Sequence, residues 1–170
     1  MATYVAFLRA VNVGGTGKLP MKDLRAICER LGFSDVKTYI ASGNVVFRSV
    51  LSASAAKTAL ENALERYAGK PIGVIVRTSA DIKRVLAANP FPDEKPNFTM
   101  AILLDEKPHA DTLRTVSGQR NEQIVLGEKE LYVFYDEGMG NSRLRIAAAK
   151  NGTARNMNTI KKMVTLSSST

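Results

Sequence analysis

The chain of 170 residues has a single cysteine, Cys28, and a single histidine, His109. A zinc site of the usual Cys/His kind therefore cannot be assembled within one chain, and no intramolecular disulfide can form. The lone thiol agrees with a reducing, cytoplasmic setting. A Cys–His nucleophilic pair is the one arrangement these counts leave open. Against it, Cys28 falls on the apolar stripe of a predicted helix, where a small buried hydrophobe is its expected role. His109 follows Pro108 at a predicted helix start, a position expected to be solvated.

Long apolar runs are missing as well. Runs such as 101–104 and 131–135 are strand-sized and far short of the ~20 apolar residues that span a bilayer. No transmembrane segment and no membrane partner are expected. The amino terminus lacks a basic leader and is interrupted by Arg9, so it does not resemble a secretory signal. A hydrophobic content of 45% fits a globular chain with one ordinary core or two small intertwined halves. Only the tail, 167–170, is expected to be flexible.

Acidic residues are scarce at both ends of the chain. The first 50 residues carry seven Lys or Arg against three Asp or Glu, and the last thirty carry six against none, whereas residues 101–140 are acidic. A fold that joined the ends would present a positive surface to phosphates or nucleic acid. A solvated basic face that serves solubility alone explains the charge equally.

Thr3 to Ala10 is apolar on both faces, as in a central strand. Pro20 suits the first turn of a helix carrying Leu24, Ile27, Cys28 and Leu31 and ended by Gly32. Val36–Ile40 and Val45–Arg48 read as a hairpin across Ala41-Ser42-Gly43-Asn44. Ala56, Leu60, Ala63, Leu64 and Tyr67 mark a second amphipathic helix ending at Gly69, followed by a strand over Ile72–Arg77. This βαββαβ order is the split-βαβ, ferredoxin-like arrangement. Ser79 can cap a short helix carrying Ile82, Val85 and Leu86. Beyond a connector at 89–96 the order nearly repeats, with strands at 98–104, 123–126 and 131–135 and helices near 110–116, 143–150 and 156–166. The expected fold is α+β, with two ferredoxin-like halves, adjacent or intertwined. They are a βαββαβα half over 1–88 and a βαββαα half over 97–166.

The loop after the first strand, Arg9-Ala10-Val11-Asn12-Val13-Gly14-Gly15-Thr16-Gly17-Lys18, invites comparison with phosphate-binding turns. It fails the P-loop pattern, because Asn12 stands where the first glycine is required and Leu19 where the hydroxyl is. It fails the dinucleotide fingerprint too, since Pro20 replaces the third glycine. What survives is weaker: Gly14, Gly15 and Gly17 allow unusual backbone angles, and the next helix directs its first N–H groups toward the loop. A flexible connection explains three glycines as well as an anion site does.

Near the other end, Met157, Ile160 and Val164 share an apolar side of the predicted last helix, and Arg155, Thr159 and Lys162 a polar one. Arg155 is expected in the first turn of that helix, and Arg143, after Ser142, in the first turn of the one before. Cations there oppose the helix dipole, so an anion would relieve both arginines and the free N–H groups. The competing reading folds the arginines back onto carbonyls or onto the acidic stretch 128–137.

The motifs Leu8–Gly15, Thr38–Phe47, Asn89-Pro90-Phe91 and Thr153–Thr159 together resemble an uncharacterised bacterial family known as domain of unknown function 1697. In that family glycine often stands at Ala10, lysine at Arg143 and tryptophan at Met157. The resemblance implies an α+β fold of ferredoxin-like halves and no established activity. It nominates Arg9, Asn12, Ser42, Asn44, Arg155, Asn156 and Thr159 as binding positions, although Ser42 and Asn44 also suit a hairpin turn.

The leading expectation is a module that binds a small phosphorylated or otherwise anionic ligand in a basic cleft between the halves. Its positions are Arg9, Asn12, Gly14, Gly15, Lys18, Ser42, Asn44, Arg143, Arg155, Asn156, Thr159 and Lys162. Nucleic acid is secondary, because the aromatic and basic signature of an RNA-binding ferredoxin-like sheet is missing. An enzyme acting on a phosphate- or carboxylate-bearing substrate is the alternative, with Asp23, Asp136 or Glu137 as acids or bases. No paired acids, Ser-His-Asp set or metal-ligand spacing supports it, and any cofactor is left unassigned. A third reading is an interaction protein that pairs through an exposed strand edge.

Overall fold

The computed structural model describes residues 1–13 and 17–169. These divide into two units, one formed by Met1–Lys83 together with Lys162–Thr170 and the other by Arg84–Lys161.

In the first unit, the apolar run at the amino terminus becomes strand β1 (Ala2–Leu8), buried on both faces from Tyr4 onward. It pairs antiparallel with β3 (Asn44–Ser49) on one side and β4 (Val74–Thr78) on the other. The hairpin partner of β3 is β2 (Ser34–Tyr39), giving the sheet order β2-β3-β1-β4. Helix α1 (Met21–Arg30) joins β1 to β2, and α2 (Ala53–Ala68) joins β3 to β4. Leu24, Ile27 and Cys28 of α1 and Ala56, Leu60 and Leu64 of α2 pack on the sheet face that carries Tyr4, Ala6, Leu8 and Phe47. Phe33 stacks on Phe47 with ring centroids 4.2 Å apart. Local signals set the ends of α2. Ser52 caps α2 by accepting from the Ala55 N–H at 3.2 Å, and Gly69 ends it in the left-handed conformation that glycine adopts at no steric cost. Cys28 is a buried hydrophobe as expected, and its burial, reinforced by Glu29, pushes the thiol up to about 12.

In the second unit, β5 (Thr99–Leu103) lies between β7 (Glu130–Phe134) and β8 (Thr153–Asn156), with β6 (Gln123–Leu126) outside β7. The order β6-β7-β5-β8 repeats that of the first sheet. Helix α3 (Ser79–Ala87) precedes this sheet and α4 (Met157–Ser168) follows β8. No helix among the described residues is long and apolar enough to cross a membrane.

Three expectations fail here. The helix expected near 110–116 is a short 3₁₀ turn, Ala110–Arg114. The helix expected at 143–150 is absent apart from a 3₁₀ turn at Ala147–Ala149. Instead, Leu144 and Ile146 turn inward and Arg143 and Arg145 outward, the period of two of an extended chain. Arg145 exchanges two backbone hydrogen bonds with Ser117, at 2.8 and 3.0 Å. Finally, Arg155 lies not in a helical first turn but in β8, opposite Ala101. Helix α4 begins after it, capped by Asn156, whose Oδ1 accepts from the Thr159 N–H at 3.0 Å.

A buried carboxylate closes the β6–β7 turn. Glu130 is fully buried and receives two hydrogen bonds from Arg84, at 2.9 and 3.2 Å. The backbone N–H of Lys129 donates to it at 3.0 Å. The Tyr132 hydroxyl donates to the Val85 carbonyl at 2.8 Å and lies 3.4 Å from Glu130 Oε1. Burial alone would raise the Glu130 carboxyl, but Arg84 and the turn N–H groups outweigh it and hold the group below its ordinary value. A side chain at Gly127 would place its Cβ 2.6 Å from Glu130 Oε1, so this turn position has no room for one.

Two measurements check this account. In chemical denaturation, Leu60→Ala is expected to lose about 2–5 kcal/mol, the cost of a cavity in a filled core. Arg84→Ala is expected to lose about 2–3 kcal/mol, less than for a fully enclosed pair because the Arg84 side chain is 38% exposed. The folded Glu130 pKa lies below its unfolded value, so the stability it contributes is complete above pH 4.5 and is lost as pH falls through the lower folded value. In Arg84→Ala the folded value moves up toward 4.5 or beyond, so the acid-induced loss that Glu130 contributes should shrink, and an acid limb of undiminished depth would contradict the assignment.

Candidate functional site

The chain leaves β1 between two neighbours. The Leu8 N–H donates to the Gly43 carbonyl at 2.8 Å, and the Arg9 N–H to the Gly73 carbonyl at 2.9 Å. The β2–β3 turn thus abuts one side of the strand end and the start of β4 the other. Gly43 makes the first approach possible, since a Cβ there would sit 2.8 Å from Leu8 Cβ and 2.9 Å from Val11 Cγ2, at a φ of +90°. Beyond Leu8 the backbone bends sharply, with φ +55° at Ala10 and +56° at Asn12. Ala10 occupies a conformation that favours glycine, at a cost of order 1 kcal/mol.

The Asn12 amide holds this bend. Its Nδ2 donates to the Leu19 carbonyl at 2.9 Å and to the Ala41 carbonyl at 2.7 Å, while its Oδ1 accepts from the Leu19 N–H at 2.6 Å. One side chain therefore closes the loop between β1 and α1 and ties it to the β2–β3 turn.

Beside the loop lies a cleft of about 530 Å³. Arg9, at the end of β1, and Lys18, just before α1, line it together with Lys70, which follows the Gly69 cap of α2. Tyr67, in the last turn of α2, lines the same cleft, and Val11, Leu19 and Ile72 add apolar surface. The Tyr67 hydroxyl donates to Asp23 Oδ2 at 2.8 Å. That bond, strengthened by the charge it meets, raises the tyrosine above its ordinary value. Three cations gathered from three segments make a positive recess suited to an anion, and α1 starts at its margin with no capping side chain at Pro20.

Of the positions expected from sequence, Arg9 and Lys18 line the cleft, while Gly14 and Gly15 lie outside the described residues. Asn12 and Asn44 build the framework. Asn44 is fully buried and donates to the Tyr39 carbonyl and to Ser42 Oγ, both at 2.9 Å. Lys162, from α4, extends over the Tyr39 ring at 5.7 Å.

The remaining positions belong to the second unit. Arg155 is buried in β8, where its Nη1 donates to Thr153 Oγ1 at 2.7 Å and to the Ala154 carbonyl at 2.9 Å. Desolvation depresses it to about 10. Asn156 caps α4 and Thr159 is buried. Arg143 lines a small hollow of about 130 Å³ with Asp136 and Glu137. Asp23 is bonded to Tyr67 in the first unit, so the three carboxylates nominated for acid–base work are divided between the units. No group of three or more metal-ligating side chains occurs among the described residues.

Lys70 and Tyr67 were not expected from the sequence. Their signal was topological: in a βαββαβ chain the β1–α1 and α2–β4 loops lie at the same end of the sheet, so a lysine after the second helix's glycine cap belongs beside the first loop.

Among solved structures, the conserved bacterial protein SP0830 from Streptococcus pneumoniae shares the fold, with a TM-score of 0.79 and 21% identity over 98% of each chain. None of the curated proteins matches the chain. The family model described as "Protein of unknown function (DUF1697)" matches residues 1–132, and the chain belongs to that family.

Proposed function

We propose that the chain binds a small phosphorylated or otherwise anionic ligand in the cleft lined by Arg9, Lys18 and Lys70. The observation that carries this reading is the convergence of those cations, distant in sequence, on one recess of about 530 Å³. Ligand pockets typically span ~300–1,000 Å³, and this recess sets its three cations beside the apolar side chains Val11, Leu19 and Ile72. The Asn12 bonds support it further, since they tie Asn12, three residues after Arg9, to Leu19, next to Lys18, and to Ala41.

The same reading takes each half of the chain as a split-βαβ, ferredoxin-like unit. Its support is the shared strand order, β2-β3-β1-β4 and β6-β7-β5-β8, with helices in the connections of the first and 3₁₀ turns in those of the second. A cytoplasmic, bacterial setting fits a ligand of this class and a single buried thiol. A nucleic-acid interface is less well supported, because Met157, where an aromatic would serve stacking, is 3% exposed.

Titration calorimetry with inorganic pyrophosphate provides the test. Lys18→Ala and Lys70→Ala alter exposed side chains and should leave the thermal midpoint unchanged. Each is expected to weaken binding about 10-fold, the worth of a charge-assisted hydrogen bond, and raised salt should weaken it further. Pyrophosphate affinity that ignores both substitutions and salt would refute the site.

A further inference from the structure

Tyr67 follows the apolar spacing of α2, yet the core contribution of that helix ends at Leu64 and Tyr67 is 43% exposed. An exposed tyrosine at the end of a helix ordinarily samples several rotamers. Here its hydroxyl is held at 2.8 Å by Asp23 Oδ2, from the first turn of α1, so the ring is held against the wall of the cleft that Arg9, Lys18 and Lys70 line. A ring restrained in this way loses little freedom when another ring stacks on it. Cations with an aromatic platform in one recess recognise a phosphate and a planar ring in one molecule.

We infer that the anion taken by this cleft carries a planar ring, as a nucleoside phosphate does, and that Tyr67 is the residue that selects for it. The inference rests on the anion reading above and names the ligand class for that site. Asp23 is then a positioning residue: it touches no ligand and acts by fixing the ring. A purely structural role, in which the Tyr67–Asp23 bond only ties α1 to α2, predicts loss of stability on substitution and no discrimination between ligands.

The experiment compares AMP, ribose 5-phosphate and pyrophosphate by calorimetry on the intact chain, with Tyr67→Leu and Tyr67→Phe alongside and thermal melts as the folding control. AMP is expected to bind roughly 10-fold or more tightly than ribose 5-phosphate, the usual worth of one stacked base. Tyr67→Leu should bring AMP down to the level of ribose 5-phosphate. Tyr67→Phe, which keeps the ring but not the Asp23 bond, should retain part of the preference. Equal affinities for AMP and ribose 5-phosphate in the unaltered protein would overturn the ring inference and leave the anion site standing. Failure of all three ligands to bind would remove the anion site and the inference with it. A preference for AMP that survives in a folded Tyr67→Leu would overturn the assignment to Tyr67. A single-stranded oligonucleotide bound far more tightly than AMP, with a steep salt dependence, would replace the small ligand with nucleic acid.

Discussion

Backbone groups crowded beside the end of a buried strand need partners, and the Asn12 side chain supplies them for Leu19 and Ala41. Where β1 ends, the chain must change direction within a few residues beside a neighbouring turn. A buried or half-buried N–H or carbonyl left without a partner there would cost ~1–3 kcal/mol. Asn12 supplies two donors and one acceptor, and those three bonds join the start of α1, the β2–β3 turn and the end of β1. The positive φ at Ala10 and Asn12 and the close approach of Gly43 to Leu8 are tolerated because this arrangement is held from several sides.

The cleft is a consequence of that frame. Arg9 and Lys18 stand on either side of a loop whose ends are fixed, and the sheet order places the start of β4, with Lys70 just before it, alongside. The cations come together through topology, with no local sequence motif to announce them. In the second unit the same strand order carries no comparable helices between its strands, and its charged residues serve a different end. Glu130 and Arg155, both buried, satisfy turn and strand groups of the unit itself.

Much of the fold was legible in the residues. Leu24, Ile27 and Cys28 recur at helical spacing, Gly43 and Asn44 mark a turn between two β-rich runs, and Ser52 and Gly69 delimit α2. Strand β8 was not legible, because its most buried residues, Thr153 and Arg155, are polar and invert the usual pattern. The extended stretch around Leu144 and Ile146 was hidden by an alanine run that favours helix when considered alone. For the site, Arg9 and Lys18 were accessible from charge beside glycine. Tyr67 was not, since it obeys the spacing of a core residue and is set apart only by the Asp23 bond. Asn12 and Asn44 show the converse difficulty: an asparagine that builds a loop and one that meets a ligand are indistinguishable until their hydrogen bonds are seen.

The division of the chain has a consequence for how the protein is made. Residues 162–169 belong to the first unit, where Lys162 covers Tyr39 and Lys37 reaches Ser169 Oγ at 3.3 Å. The segment that completes this unit is therefore made only after the whole of residues 84–161. During translation residues 1–83 must wait for the contacts at Tyr39 and Lys37 until residues 84–161 and then 162–169 have emerged.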